Sequence, residues 1–355
     1  MHVEAPAVRR CRAFAAAALA LCVAPAHAAA PTQRDGEWTV TGVEEDDYFA
    51  PHNKDEHYTQ GLRLSATSPD LDWSWPFDRL PWAFPDDAPA GSALTRRYNI
   101  AFGQNMYTPH DRSLVIPDPR DRPYAGWLYA GFGLMQDSGS EFDELALKLG
   151  VVGPAAMARE VQTDWHLNVI GTKPFLGWAS QLRNEPALDL YYDRKWRLPQ
   201  SEAAAGGGWG WDLLPQASAR VGNVYDYLGG GGMLRFGRNL ATDYGPPHID
   251  LNTGSDYIDP ERGDGGLGVY VFLGGEARLV ARNIFLDGNS FQSSAHVSKY
   301  PAVADGQIGL AVTRGHLRLA YTLTYRTPEF VNQEGADHFG SLELSFHCWI
   351  GRCFE

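Results

Sequence analysis

Segment after segment of this chain alternates apolar and polar residues with a period of two, and that pattern confines it to β structure. Leu145, Leu147, Leu149 and Val151 alternate with Glu144, Ala146, Lys148 and Gly150. Leu62, Leu64 and Ala66 alternate with Arg63 and Ser65; Leu317, Leu319 and Tyr321 with Arg318 and Ala320; Leu342, Leu344 and Phe346 with Glu343 and Ser345. Further candidates run through Trp38 to Glu45, Tyr98 to Tyr107, Trp127 to Leu134, Ala187 to Trp196, Gln216 to Val224, Met233 to Phe236, Val269 to Val280 and Gln307 to Thr313, about a dozen in all. Many span about 8 to 11 residues, the length a tilted strand needs to cross a bilayer, whereas soluble strands average about 5 or 6. Aromatic residues make up 12% of the chain and gather near strand ends, as at Trp127 and Tyr129 or Tyr191 and Tyr192, where interfacial girdles are expected. The expectation is an all-β fold, a closed antiparallel transmembrane β-barrel, with a soluble periplasmic sandwich as the alternative.

The ends of the chain agree with export. Arg9, Arg10 and Arg12 precede a small-residue apolar stretch from Ala13 to Val23, and Ala26-His27-Ala28 offers a small-x-small cleavage site. Residues 1–28 therefore read as a signal peptide and 29–355 as a single barrel domain without internal repeats. No run from Ala29 onward approaches the roughly 18 apolar residues of a membrane helix. A formal charge of −13 lacks the basic footprint that phosphate backbones require, which excludes nucleic acid as a partner. Beyond the signal only Cys348 and Cys353 remain; a small disulfide loop is the expected use in an oxidising compartment, with a zinc half-site beside His347 as the rival.

One segment departs from the β pattern. Pro154 to Ile170 opens on proline and continues with helix formers, predicting one helix in a connection, where functional loops reside. On it Gln162 and His166 are spaced i, i+4 and share a face, with Arg159 a turn earlier. Such a histidine is as readily a surface or core group, and gains meaning only opposite a charged site. The run Glu44-Glu45-Asp46-Asp47 at the end of the first strand, followed by Asp55-Glu56-His57-Tyr58-Thr59-Gln60-Gly61, offers one. Four successive carboxylates repel unless a cation or water screens them, and oxygen ligands favour Ca²⁺. Asp46 and Asp47 point to opposite faces unless the strand bulges, so one side chain of the pair is expected to bind. A solvated acidic loop is the other reading. No Gly-x-Ser-x-Gly elbow, His-Glu-x-x-His or P-loop is present.

Ordered blocks over some 290 residues carry a resemblance. Glu45-Asp46-Asp47-Tyr48-Phe49, Tyr58-Thr59-Gln60-Gly61-Leu62, Gly103-Gln104-Asn105-Met106-Tyr107-Thr108-Pro109, Asp121-Arg122-Pro123-Tyr124-Ala125-Gly126-Trp127 and Gly150 to Pro154 with Gln162 and His166 come first. Phe285-Leu286-Asp287-Gly288-Asn289 and Tyr325-Arg326-Thr327-Pro328-Glu329-Phe330 follow. Together they resemble the outer-membrane lipid A deacylase family (LpxR). The resemblance implies a barrel of about 12 strands with its site between the wall and a helix of an external loop, in the outer membrane. It further implies Ca²⁺-dependent hydrolysis of the 3′-acyloxyacyl ester of lipid A, with Asp46, Asp47 and Thr59 at the metal positions and Gln162 and His166 at the catalytic ones. Asp46 stands where the family has Asn, and Gln60 where Asn is common. A family lysine has no counterpart; Arg112 in that loop is the substitute, and Arg112 and Arg159 are the expected substrate-binding cations. The expected partners are lipid A or lipopolysaccharide and outer-membrane lipids, around a monomer. Imidazole, with an ordinary pKa of about 6.5, suits a general base at neutral pH. A non-catalytic barrel or pore and an outer-membrane phospholipase are the competing functions.

Overall fold

The computed structural model describes residues 36–51, 56–72, 74–86, 94–198, 207–249, 254–259 and 262–348; the signal-peptide segment and Cys353 lie outside them. Cys348 is disulfide-bonded. The strands are β1 (Trp38–Asp46), β2 (His57–Thr67), β3 (Thr95–Thr108), β4 (Ala125–Asp137), β5 (Glu141–Val152) and β6 (Glu185–Trp196), then β7 (Gly210–Gly222), β8 (Tyr225–Arg238), β9 (Gly268–Asn283), β10 (Ala302–Arg314), β11 (Leu317–Arg326) and β12 (Asp337–Cys348). Each pairs antiparallel with its sequence neighbours, and β1 closes on β12, with Trp38 opposite Cys348 and Asp46 opposite Gly340. Closure leaves no free edge, which decides for the barrel over the sandwich.

The sides of the wall are inverted relative to a soluble protein. Along β2, Leu62 and Leu64 are 54% and 56% exposed, while Arg63 and Ser65 between them are buried. Ile100, Phe102, Leu149, Leu188, Val271, Leu273 and Ile308 likewise point outward. In water such a belt would forfeit about 1.5–3 kcal/mol per large side chain relative to burial; against lipid it is the stable arrangement. Arg235, Arg318, Asp212, Asp243 and Glu343 fill the interior as ion pairs.

The strands extend further than the alternation shows. β8 is legible only near Met233 to Phe236 because Gly229 to Gly232 carry no pattern. At Gly231 an added Cβ would lie 2.0 Å from the Gly275 carbonyl oxygen, so the close approach of β9 requires glycine there. The expected strand Gln216 to Val224 is cut by a tight connection after Gly222. Trp127, Tyr129 and Tyr191 are not girdle residues. All three are buried on the lumen side, where they surround the Lys148 ammonium at 5.6, 4.9 and 5.2 Å from the ring centroids.

The lumen is occupied. β8 is even-numbered, so it ends on the side where β1 begins, the periplasmic side in an outer-membrane barrel. The connection to β9 enters from there and reaches the far end of β1. Arg63 Nη2 donates to Asp256 Oδ1 at 2.5 Å, and the Thr41 hydroxyl to the Asp256 carbonyl at 3.3 Å. Deeper in, His248 Nδ1 lies 2.9 Å from Glu45 Oε1, and the Tyr58 hydroxyl donates to Glu45 Oε2 at 2.8 Å. The Arg97 guanidinium lies 3.6 Å from the Tyr257 ring centroid.

Candidate active site

Register puts four residues in one row across the rim: Asp46 of β1 opposite Gln60 of β2, Gln60 opposite Met106 of β3, and Met106 opposite Gly126 of β4. They share the parity of Leu62, Phe102 and Phe132, which face outward and are at least half exposed. Yet Asp46, Gln60 and Met106 are 3%, 6% and 1% exposed. Outer-wall residues become this buried only when something covers the wall. The cover over β3 and β4 is the segment after β5. A 3₁₀ turn (Pro154–Ala156) leads into α1 (Ala158–Trp165), and a π-type turn (His166–Ile170) follows. Gln104 Nε2 donates to the Ala156 carbonyl at 2.5 Å. A Cβ on Gly126 would come within 2.4 Å of the Ala158 Cβ, so the missing side chain at 126 lets the helix touch the strand. Met106, Tyr124, Ala158, Phe175 and Trp178 form the apolar cluster beneath. The sequence-predicted helix is therefore present but broken into three pitches, and a single helical turn, α2 (Ile284–Asp287), accompanies it elsewhere.

Ala158, Gln162 and His166, spaced i, i+4, i+8, form the buried face of the helix. Gln162 Oε1 accepts from Trp178 Nε1 at 2.7 Å, which fixes the amide, while its Nε2 is buried with no hydrogen-bond partner among the described residues. His166 is 2% exposed. Its Nδ1 lies 3.2 Å from the Lys173 carbonyl and 3.1 Å from Thr172 Oγ1. A carbonyl oxygen only accepts, so the tautomer that hydrogen-bonds to Lys173 carries its proton on Nδ1 and its lone pair on Nε2. Phe175 meets the imidazole edge-on at 5.0 Å, and the Arg112 guanidinium lies over Phe175 at 5.6 Å. Phe175 thus packs against both side chains. Arg159 is exposed on α1, away from the buried face.

The acidic run does not act as a block. Glu44 accepts from Gln60 Nε2 at 3.2 Å on the outer face, and Glu45 points into the lumen toward His248. Asp46 ends β1 and accepts from the Tyr48 amide at 2.7 Å; Asp47 opens a 3₁₀ turn and accepts from the Glu56 amide at 2.8 Å. The strand stops at Asp46, so strict alternation no longer separates the pair, and both are buried. The irregularity lies in β2 instead: the register shifts between Tyr58 and Gln60, leaving Thr59 as the bulged residue, with its Oγ1 2.5 Å from Thr108 Oγ1. Asp46, Asp47 and Thr59 lie near one another in register, Asp46 opposite Gln60, and each offers oxygen donors of the kind a hard cation such as Ca²⁺ takes. Trp178, Phe175 and the Lys173 carbonyl escape sequence reasoning, because nothing in a loop marks an aromatic or a backbone oxygen as a partner of a helix side chain.

Comparisons with known proteins place this architecture. The family model described as outer membrane protein LpxR matches residues 14–348. Among solved structures, LpxR from Salmonella typhimurium is similar with a TM-score of 0.69 and 21% identity, over 87% of this chain and 99% of that one. At that identity the likeness bears on the fold alone. The β domain of the Bordetella autotransporter Brka aligns at a TM-score of 0.39 and 9% identity, over 89% of this chain and 99% of the other, and carries no argument. A comparison with curated proteins finds no match. With the family model spanning nearly the whole sequence of a closed, outward-apolar barrel, the chain belongs to the LpxR family of outer-membrane proteins.

Proposed function

We propose that this protein is a lipid A 3′-O-deacylase, hydrolysing the 3′-acyloxyacyl ester with a water activated by His166. The observation that carries this reading is the position of His166 and Gln162. They lie on the buried face of a helix laid on the outer surface of the barrel, at the rim opposite the chain start, where Ala158 of that helix meets Gly126, the β4 member of the row that begins at Asp46. A lipid anchored in the outer leaflet presents its acyl esters at that level and reaches such a site laterally, with its chains still in the bilayer. His166 Nε2 takes the proton of the attacking water while Nδ1–H stays on the Lys173 carbonyl, which holds the ring in place. The Gln162 amide, oriented by Trp178, donates through Nε2 to the substrate carbonyl region. Arg112, beside Phe175, faces the anionic headgroup. Asp46, Asp47 and Thr59 would hold Ca²⁺, which when bound supplies positive charge for the developing oxyanion.

The pore reading is disfavoured by the segment that fills the lumen. The phospholipase reading needs a nucleophilic serine at the imidazole, and the hydroxyl found there among the described residues is Thr172, on the Nδ1 side. The test is mass spectrometry of lipid A from cells expressing the protein. The wild type is expected to remove the 3′-acyloxyacyl group, EDTA to stop it, and His166→Ala to lower the rate by roughly 10²–10⁴-fold while the barrel remains heat-modifiable on a gel. Unchanged lipid A with a folded wild-type barrel, or full activity in His166→Ala, would overturn the reading.

A further inference from the structure

A second cluster of ligating side chains lies at the same rim, on the opposite side of the wall from Asp46. Asp337 opens β12, one residue before the outward pair His338 and Tyr325 and directly opposite the buried Arg326, so it faces inward. His57 opens β2 with a left-handed backbone, φ 65°. That conformation is uncommon outside glycine, and it accompanies a ring turned toward β12, with Nδ1 2.5 Å from Asp337 Oδ1. Glu56 precedes it. Donor atoms of Glu56, His57 and Asp337 all lie within 4.8 Å of one another, and all three residues are buried. His110 of the β3–β4 connection joins through its contact with Glu56, and Asp121 Oδ1 lies 3.9 Å from His57 Nε2.

Hydrogen bonding within the cluster does not satisfy it. Asp337 is 6% exposed, and its Oδ2 has no hydrogen-bond partner among the described residues. A buried carboxylate oxygen in that state is costly unless a cation faces it. Within the cluster three carboxylates, Glu56, Asp121 and Asp337, meet two imidazoles, His57 and His110. Ligands about 2.0–2.2 Å from an ion sit within roughly 4.4 Å of each other, so the cluster closes on an ion with small side-chain shifts.

We infer that Glu56, His57 and Asp337, with His110 at the edge, form a binding site for a divalent transition metal such as Zn²⁺, separate from the outer-wall oxygen site. Imidazole with carboxylates favours Zn²⁺ and its neighbours over Ca²⁺, which takes oxygen ligands. The bound ion would join β2, β12 and the β3–β4 connection, and through the Glu56 amide, which donates to Asp47 Oδ2, would brace the oxygen site from behind.

The experiment is equilibrium dialysis of the full barrel in detergent, stripped with EDTA and returned to excess Ca²⁺, against ⁶⁵Zn²⁺. The expected result is one retained Zn²⁺ per folded chain, lost at least tenfold in affinity in His57→Gln and in Asp337→Asn, and kept in Asp47→Asn. No retention by the folded wild type overturns the inference, as does retention unaffected by His57→Gln and Asp337→Asn, or lost only with Asp47→Asn. If the first two variants fail to become heat-modifiable, Cu²⁺ bound to the wild type decides. Ligand-nitrogen splitting in its electron paramagnetic resonance spectrum supports the site, and an oxygen-only spectrum overturns it. Because the readout is metal retention, the outcome is independent of lipid A hydrolysis.

Discussion

Trp178 is the residue that turns a helix glutamine into a defined donor. Its Nε1–H occupies Gln162 Oε1 at 2.7 Å, which forces the amide NH₂ the other way. Trp178→Phe keeps the packing against Tyr124 (4.9 Å between centroids) and removes that one hydrogen bond. A neutral hydrogen bond contributes about 1 kcal/mol, so kcat is expected to fall roughly fivefold, with KM and the heat-modifiable mobility unchanged. Steady-state kinetics on purified lipid A checks this, and an unaltered kcat would mean that the amide is fixed by other means. At this scale the sequence was informative about residue type. His166 and Gln162 share a buried face as their spacing implies, whereas Arg159, a turn earlier, is exposed. Spacing cannot tell which edge of a helical stripe meets the wall; the seat of Ala158 against Gly126 decides it.

Among the elements, α1 depends on a strand position with no side chain. Gly126→Ala places a Cβ 2.4 Å from that of Ala158, an overlap that must push the helix off the wall at a cost of about 1–3 kcal/mol. Deacylation is expected to drop at least tenfold while the barrel still folds, and Ala158→Gly in the same chain should restore most of it. Lipid A mass spectrometry on the single and double variants is the measurement; no rescue would mean that Gly126 acts otherwise than by admitting the helix. The twelve strands were legible because alternation is a local signal. β8 was only partly legible because its central glycines carry none. The bulge at Thr59 was not, since it exists only as a mismatch between β2 and β3.

For the whole molecule, the periplasmic connection between β8 and β9 folds into the lumen and is tied to the wall by Asp256 and His248. Asp256→Ala strands Arg63 without its carboxylate inside the wall; losing one partner of a buried pair costs about 3–5 kcal/mol. The apparent Tm should fall clearly, as read by the heat-modifiable gel shift. Deleting residues 246–257 removes Asp256, Tyr257 and His248 together and is expected to open an ion path. Planar-bilayer recordings should then show steady conductance where the wild type shows none. A closed barrel after deletion would mean that side chains of the wall alone fill the lumen.

By itself the sequence determined where most of the strands run, the alternation of faces along them, the place of the helix and the candidate chemistry of its histidine, because a two-residue or 3.6-residue period is written within a few neighbours. Tertiary structure alone decided what meets across the barrel. Asp337 lies 280 positions from His57, and His248 lies 203 from Glu45. Such pairs arise from the register of twelve strands and the path of one inward-folded connection, both set by closure of β1 on β12, a condition on the whole chain that no local pattern contains.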